Sequence, residues 1–185
     1  SRNADSKKFM LTRKLLALGL SAASGSDLME QSLETMRELR NITRETVLLG
    51  KLLDDEIVVL EQELGLHAFK FLVDPGSCVR LHTSAPGKAI LAALPKHECD
   101  ALLRRLKLTR YNERTLCTRK QLEACLDQVR RDGYATDQAE EYEGIHCVGA
   151  AIRDQAGYPV GAIWITCPSI RLPLSMFAAC GQLVH

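Results

Sequence analysis

Aromatic side chains make up only 5% of the 185 residues, and the formal net charge is +1. So few aromatics exclude a stacking platform for single strands or RNA, and a near-neutral balance gives no general pull toward nucleic acid. No apolar run reaches the roughly 20 residues that cross a bilayer, and the opening SRNADSKKFM lacks the apolar centre of a signal peptide. The cysteines, Cys78, Cys99, Cys117, Cys125, Cys147, Cys167 and Cys180, form no CxxC pair and no zinc-finger spacing. Their odd number fits reduced thiols in a cytoplasm. An initiator Met is also missing, so the chain is expected to be a fragment or a processed form.

Hydrophobic residues at 46% and charged residues at 25% suffice for a globular core. Thr12 to Ala23 reads as a helix with a narrow apolar stripe of Leu15, Leu18 and Ala22, which needs a partner. Gly25-Ser26 breaks it, and a second helix is expected from Asp27 to Thr43 with Leu28, Leu33, Met36 and Leu39 inward. Strands follow at 45–51 and 56–62 around Asp54-Asp55, a third at 68–73, then a turn at Asp74-Pro75-Gly76-Ser77 and a short extended stretch at 79–82. Ser84 caps a helix over 85–93, with Pro86 in its first turn where a missing N–H costs little. Helices are predicted at 96–106, at 118–132 behind a Thr118/Gln121 capping box with Gly133 as its stop, and at 174–184. Helices enclosing a largely antiparallel sheet define an α+β fold.

The stretch from Gly133 to Pro168 organises the rest. Asp154-Gln155-Ala156-Gly157 predicts a hairpin turn between two apolar strands. Pairing Arg153 with Tyr158 sets Cys147 opposite Trp164 and Ile145 opposite Thr166, all on one face with Gly149, Ala151 and Ala162. A loop shifted by one residue at each end moves the partners by two and keeps that face, whereas a three-residue loop turns Cys147 away from Trp164. Small side chains beside a thiol, a hydroxyl and one indole either leave room above the sheet or pack as plain core.

Ser84-Ala85-Pro86-Gly87-Lys88 opens a helix, where free N–H groups favour an anion, but it lacks the glycine spacing of a P-loop and implies no nucleotide or other cofactor. Read alone, the acidic run Glu140, Glu141 and Glu143 is a solvated loop, while Asp137 is a candidate acceptor for a ligand hydroxyl. His146 points away from Cys147 by strand alternation, which leaves no adjacent Cys-His pair and no reason to expect an enzyme. A metal site from His82, Asp137 and Cys147 has no ligand spacing behind it.

LHTSAPGKAILAAL (81–94) with RRDGYATDQAEEYEGIHCVGAAIRDQAGYPVGAIWITCP (130–168) resembles the effector-binding domain of IclR-type bacterial transcriptional regulators. The resemblance runs over about residues 9–175. It implies a GAF-like curved antiparallel sheet flanked by helices, with an N-terminal linker helix. Residues 1–24 would be the end of a wing and the linker from a missing DNA-binding domain, and 25–185 the effector-binding domain. It implies a small organic acid as effector, a homodimer or tetramer, and DNA contact only through the missing domain. Carried over in place, Ala85, Pro86 and Gly87 at the helix start, then Asp137, Cys147, Trp164 and Thr166, would make the polar contacts, with Ala68, Phe71, Val79 and Ile145 as apolar walls. Two departures matter: Pro86 has no amide to donate, and Trp164 stands where the carboxylate sensors of the family carry a small hydroxyl. A differently held organic acid, or a flatter aromatic one, is therefore expected. The alternatives are a thiol-based redox or metal sensor working through Cys147, and a dimerisation module whose pocket is filled core.

Overall fold

A computed structural model describes residues 27–185. The expected wing and linker helix over 1–24 lie outside the described residues. Six strands form one curled antiparallel sheet in the order β3-β2-β1-β6-β5-β4, with β1 Thr46–Leu53, β2 Glu56–Glu63, β3 Cys78–Arg80, β4 Ala135–Gln138, β5 Ile145–Arg153 and β6 Pro159–Pro168. Helices cover both faces, as the α+β reading expects. On one side lie α2 (Ala85–Ala93), α3 (Lys96–Arg105) and α4 (Arg119–Asp132), and on the other α1 (Asp27–Thr43) and α5 (Phe177–Val184), the latter entered through a single 3₁₀ turn at Leu174–Met176.

The period of two in the strands splits the core into two layers. Leu48, Cys147, Ala162 and Trp164 pack toward α2 to α4, while Val47, Leu49, Val148 and Ile163 pack toward Met36, Leu39 and Phe177 on α1 and α5. The predicted capping box is present: the Thr118 hydroxyl accepts from the Gln121 amide, and the Gln121 side chain accepts from the Thr118 amide. Gly133 closes α4 at φ 83°, in the left-handed region that glycine enters without strain.

The hairpin turn forms as its residues dictate, with Asp154 Oδ1 accepting from the amides of Ala156 and Tyr158, and Gly157 at φ 82°. The register differs from expectation by two. Arg153 pairs with Pro159, the ladder then slips at Ile152/Arg153, and Cys147 comes opposite Thr166, Gly149 opposite Trp164 and Ile145 opposite Pro168. A five-residue loop alone would have turned every side chain over; Val160, left unpaired between Pro159 and Gly161, restores the parity. Cys147, Trp164 and Thr166 therefore share the face the turn chemistry predicts.

The expected strand at 68–73 does not form. Its backbone groups are satisfied by side chains instead: Thr46 Oγ1 donates to the Phe71 carbonyl at 2.8 Å, and Gln62 Oε1 accepts from the Val73 amide at 3.2 Å. With these groups engaged, the segment drapes over the end of the sheet without adding to it. The third strand is Cys78–Arg80, overlapping the short extended stretch expected at 79–82, and it pairs with β2.

Gly87 sets the approach of α2 to the chain before it. A Cβ there would lie 2.4 Å from the Leu81 Cα and 2.6 Å from its carbonyl oxygen, both backbone atoms that cannot rotate away. Gly87→Ala is expected to cost about 1–3 kcal/mol by forcing the helix start outward. Chemical denaturation checks this, and a change below about 0.5 kcal/mol would show that the backbone yields freely.

Candidate functional site

At the end of the sheet, beneath the start of α2, a cavity of about 430 Å³ remains open. Ile145 and Cys147 of β5, and Trp164 and Thr166 of β6, floor it; Phe71, Leu72 and Val73 of the draped segment close one side; Val79 and Arg80 of β3, with Thr83, Ser84 and Pro86, close another; and Asp137 with Glu141 and Tyr142 stands opposite. Eight residues proposed from sequence meet here: Phe71, Val79, Pro86, Asp137, Ile145, Cys147, Trp164 and Thr166.

Three proposed residues do not line the space. Ala68 lies on the exposed outer part of the draped segment, since the strand that would have turned it inward is absent. Ala85, the first residue of α2, is fully buried in the core. Gly87 is pressed against Leu81, and its amide donates to Ser84 Oγ at 3.1 Å. The amide that caps the helix is thus unavailable to a ligand, and Pro86 offers none.

Cys147 Sγ and Thr166 Oγ1 lie 2.7 Å apart across the β5–β6 pair, with Asp137 opposite Cys147 on the other side. Burial is the main cause that pushes the Cys147 thiol well above its usual range, and the negative charge of Asp137 adds to it. That environment suppresses the thiolate a redox sensor needs. Trp164 is 3% exposed and does both things open to it from sequence: its indole packs in the core near Gly50 and also walls the cavity. The space is not solid core.

Behind Asp137 lies a buried charge cluster. Lys88, fully buried in α2, forms an ion pair with Glu140 Oε1, and the Glu140 amide donates to Asp137 Oδ1 at 2.9 Å. Burial raises Asp137 to about 6 and Glu140 to about 7, against the downward pull of the Lys88 ammonium on both. The acidic run is therefore not simply solvated. Glu140 is buried, and Glu141 binds Arg80 through Oε1 at 2.6 Å and Thr83 through Oε2 at 2.8 Å. Sequence reasoning gave Arg80 and Thr83 no part, read Glu141 as solvated, and used Lys88 only as the end of the helix start that favours an anion, not for its side chain. One signal was available: Lys88 leads straight into the apolar run AILAAL, and a helix apolar on all sides is buried all round, its one cation included.

His82 turns away from the cavity, with Nε2 3.0 Å from the Thr109 carbonyl, and burial lowers its pKa. Among the described residues no three His, Cys, Asp or Glu side chains come together to hold a metal ion. A second cleft, of about 590 Å³, lies between the start of α1 and the ends of α4 and α5. Its two arginines, Arg130 and Arg153, already bond the carbonyls of Ala92 and Ala93. Among the described residues no helix is long and apolar enough to cross a membrane.

Residues 20–185 match the family model for the C-terminal region of the bacterial transcriptional regulator IclR. The chain is 32% identical over 171 residues to the HTH-type transcriptional regulator KdgR of Escherichia coli K12, covering 92% of this chain and 65% of KdgR. It is 33% identical over 150 residues to the HTH-type transcriptional repressor AllR of Klebsiella pneumoniae, covering 81% of this chain and 55% of AllR. The chain thus spans less than two thirds of the length of these curated relatives. Among solved structures, Thermotoga maritima IclR superposes with a TM-score of 0.85 at 26% identity, covering 99% of this chain and 74% of that one. The C-terminal domain of E. coli KdgR gives 0.77 at 29% identity, covering 86% and 93%. The chain belongs to the IclR family of bacterial transcriptional regulators and carries the effector-binding C-terminal domain of one.

Proposed function

We propose that this domain senses a small organic acid and reports its presence to a winged helix-turn-helix domain that is not part of this sequence. One observation carries the reading: a 430 Å³ space whose floor brings Asp137, Cys147 and Thr166 together among apolar walls. Such a mixture of apolar area and a few convergent polar groups suits a small ligand held in one orientation. The tested outcome is a thermal shift. An acid supplied at 100 times its Kd should stabilise the fold by about 2.7 kcal/mol. At about 2–4 °C per kcal/mol for a domain of this size, that is a rise in Tm of roughly 5–10 °C. A panel of aliphatic and aromatic acids at millimolar concentration that leaves Tm unmoved would sink the proposal.

A signal requires that the ligand favour one of two packings over the other. Residues 12–23, expected as a linker helix, are the proposed route, acting within a homodimer or tetramer. The draped segment supports self-association: it lines the cavity with Phe71 and Leu72, and Phe69 and Leu72 still stand 66% and 65% exposed. Light scattering that finds a monomer with and without ligand would remove this route. As a domain of a DNA-binding regulator the protein would act in the cytoplasm.

A further inference from the structure

We propose that Arg80 is the anchor for the acid group of the ligand, so that the ligand lies with its carboxylate toward β3 and Glu141 and its other end against Asp137. This rests on the organic-acid reading above and specifies how the acid is held.

Amides at the start of α2 cannot supply the anchor. Ala85 is fully buried and does not line the space, Pro86 has no N–H, the Gly87 amide is bonded to Ser84 Oγ, and the Lys88 amide is bonded to the Ser84 carbonyl at 3.1 Å. Lys88 cannot supply it either, because its ammonium is buried against Glu140 and does not line the space. Among the described residues that line the cavity, Arg80 is the one cationic side chain, facing the three carboxyl groups of Asp74, Asp137 and Glu141. An anion entering that surplus of negative charge needs a cation beside it, and would bind at the end where the cation stands.

Arg80 is built for the task. Its guanidinium sits 5.0 Å from the centre of the Tyr111 ring, within reach of a cation–π contact, and one nitrogen, Nη1, bonds Glu141. The N–H groups on Nε and Nη2 have no acceptor among the described residues, and this pair of donors matches the two oxygens of a carboxylate. Glu141 is in turn held by the buried Thr83 hydroxyl, so the ion pair forms a fixed rim that an incoming acid can join. At the far end, Asp137 is more than nine-tenths buried, accepts from the Glu140 amide and has the Cys147 thiol as a neighbouring donor. An ionised carboxylate there repels a second one and welcomes a hydroxyl donor. The ligand chemistry that satisfies both ends is a hydroxy acid with an apolar body between its two polar groups.

The test is calorimetric titration of ω-hydroxy acids of increasing chain length, and of para-hydroxyphenylacetate, each beside its uncharged primary amide. Arg80→Gln should weaken the acids about 10–100-fold, the loss of a charge-assisted pair, and leave the amides within a few-fold. Glu141→Gln should move the acids the other way, tightening them several-fold by removing the competitor for the same guanidinium. Opposite signs at the two partners of one ion pair are not expected if Arg80 merely supports the fold. Equal binding of an acid by wild type and Arg80→Gln overturns the anchor and leaves acid sensing intact. If Arg80→Gln does not fold, Glu141→Gln decides alone, and unchanged or weaker acid binding overturns the proposal. Failure of the acids to bind the wild type removes the acid reading and the anchor with it.

Discussion

Lys88→Met is expected to destabilise the domain by about 1.4 kcal/mol more at pH 8 than near pH 4.5, a limit set by Glu140, which escapes the full penalty of an unpaired buried charge by keeping its proton. Lys88 is fully buried, and among the described residues its ammonium is the only counter-charge bonded to Glu140, whose second oxygen, Oε2, has no hydrogen-bond partner there. Met fills a similar volume, so packing loss is small and the deficit is electrostatic. The pH dependence identifies the cause. Glu140 is raised from 4.5 to about 7 in the folded state, chiefly by burial. A carboxyl group raised in this way holds its proton in the folded state while the unfolded chain has lost it. Its contribution to stability therefore falls as pH rises from the unfolded value through the folded one, and levels off above about 7. Without Lys88 the folded value climbs further, and the decline continues to higher pH. The difference between wild type and Lys88→Met should be small near pH 4.5 and largest above pH 7. The double variant Lys88→Met with Glu140→Gln should recover most of the loss. Urea denaturation at several pH values measures all of this, and a deficit below about 1 kcal/mol that does not vary with pH would show that the pair contributes little.

That ion pair also marks where reading the sequence stops. Local rules with a short reach were legible in the residues: the Thr118/Gln121 cap, the Gly133 stop and the Asp154–Gly157 turn all formed as their chemistry requires. The shared face of Cys147, Trp164 and Thr166 was legible for a less secure reason. It depended on loop parity, and an odd loop was corrected by one extra residue at Val160, which nothing in the sequence announces. The failure at 68–73 has a different origin. Phe71, Leu72 and Val73 have the composition of a strand, but a strand also needs a free edge to pair with, and side chains from Thr46 and Gln62 took the backbone groups first. Lys88–Glu140 and Arg80–Glu141 join residues 52 and 61 positions apart, and no periodicity reports on such a pairing. Charge in a loop reads as solvated until the fold shows what covers it.

The end of the ligand that meets Asp137 should be visible in the pH dependence of its affinity. Burial raises Asp137 to about 6, with Lys88 opposing and Glu141 and Cys147 among the groups around it. If a ligand hydroxyl donates to Asp137, the carboxylate form is the one that binds, and complex formation releases a proton whenever Asp137 starts protonated. With a free value near 6, about a tenth of the sites are ionised at pH 5 and about nine tenths at pH 7, so the affinity should rise roughly tenfold over that interval and change little above it. A ligand carboxylate placed at Asp137 reverses the sign. Two carboxyl groups in contact must share a proton, so binding would take one up and the affinity would fall as pH rises past 6. Asp137→Asn abolishes the slope in either case. With a hydroxyl at this end it should also weaken binding about 10–100-fold at pH 7, since a neutral amide replaces a charged acceptor. Titration of para-hydroxyphenylacetate from pH 5 to 8 reads the sign directly. An affinity that tightens toward acid would place the carboxylate at Asp137 and contradict an anchor at Arg80, whereas one that tightens toward neutral pH and goes flat in Asp137→Asn is what the charge distribution of the cavity requires.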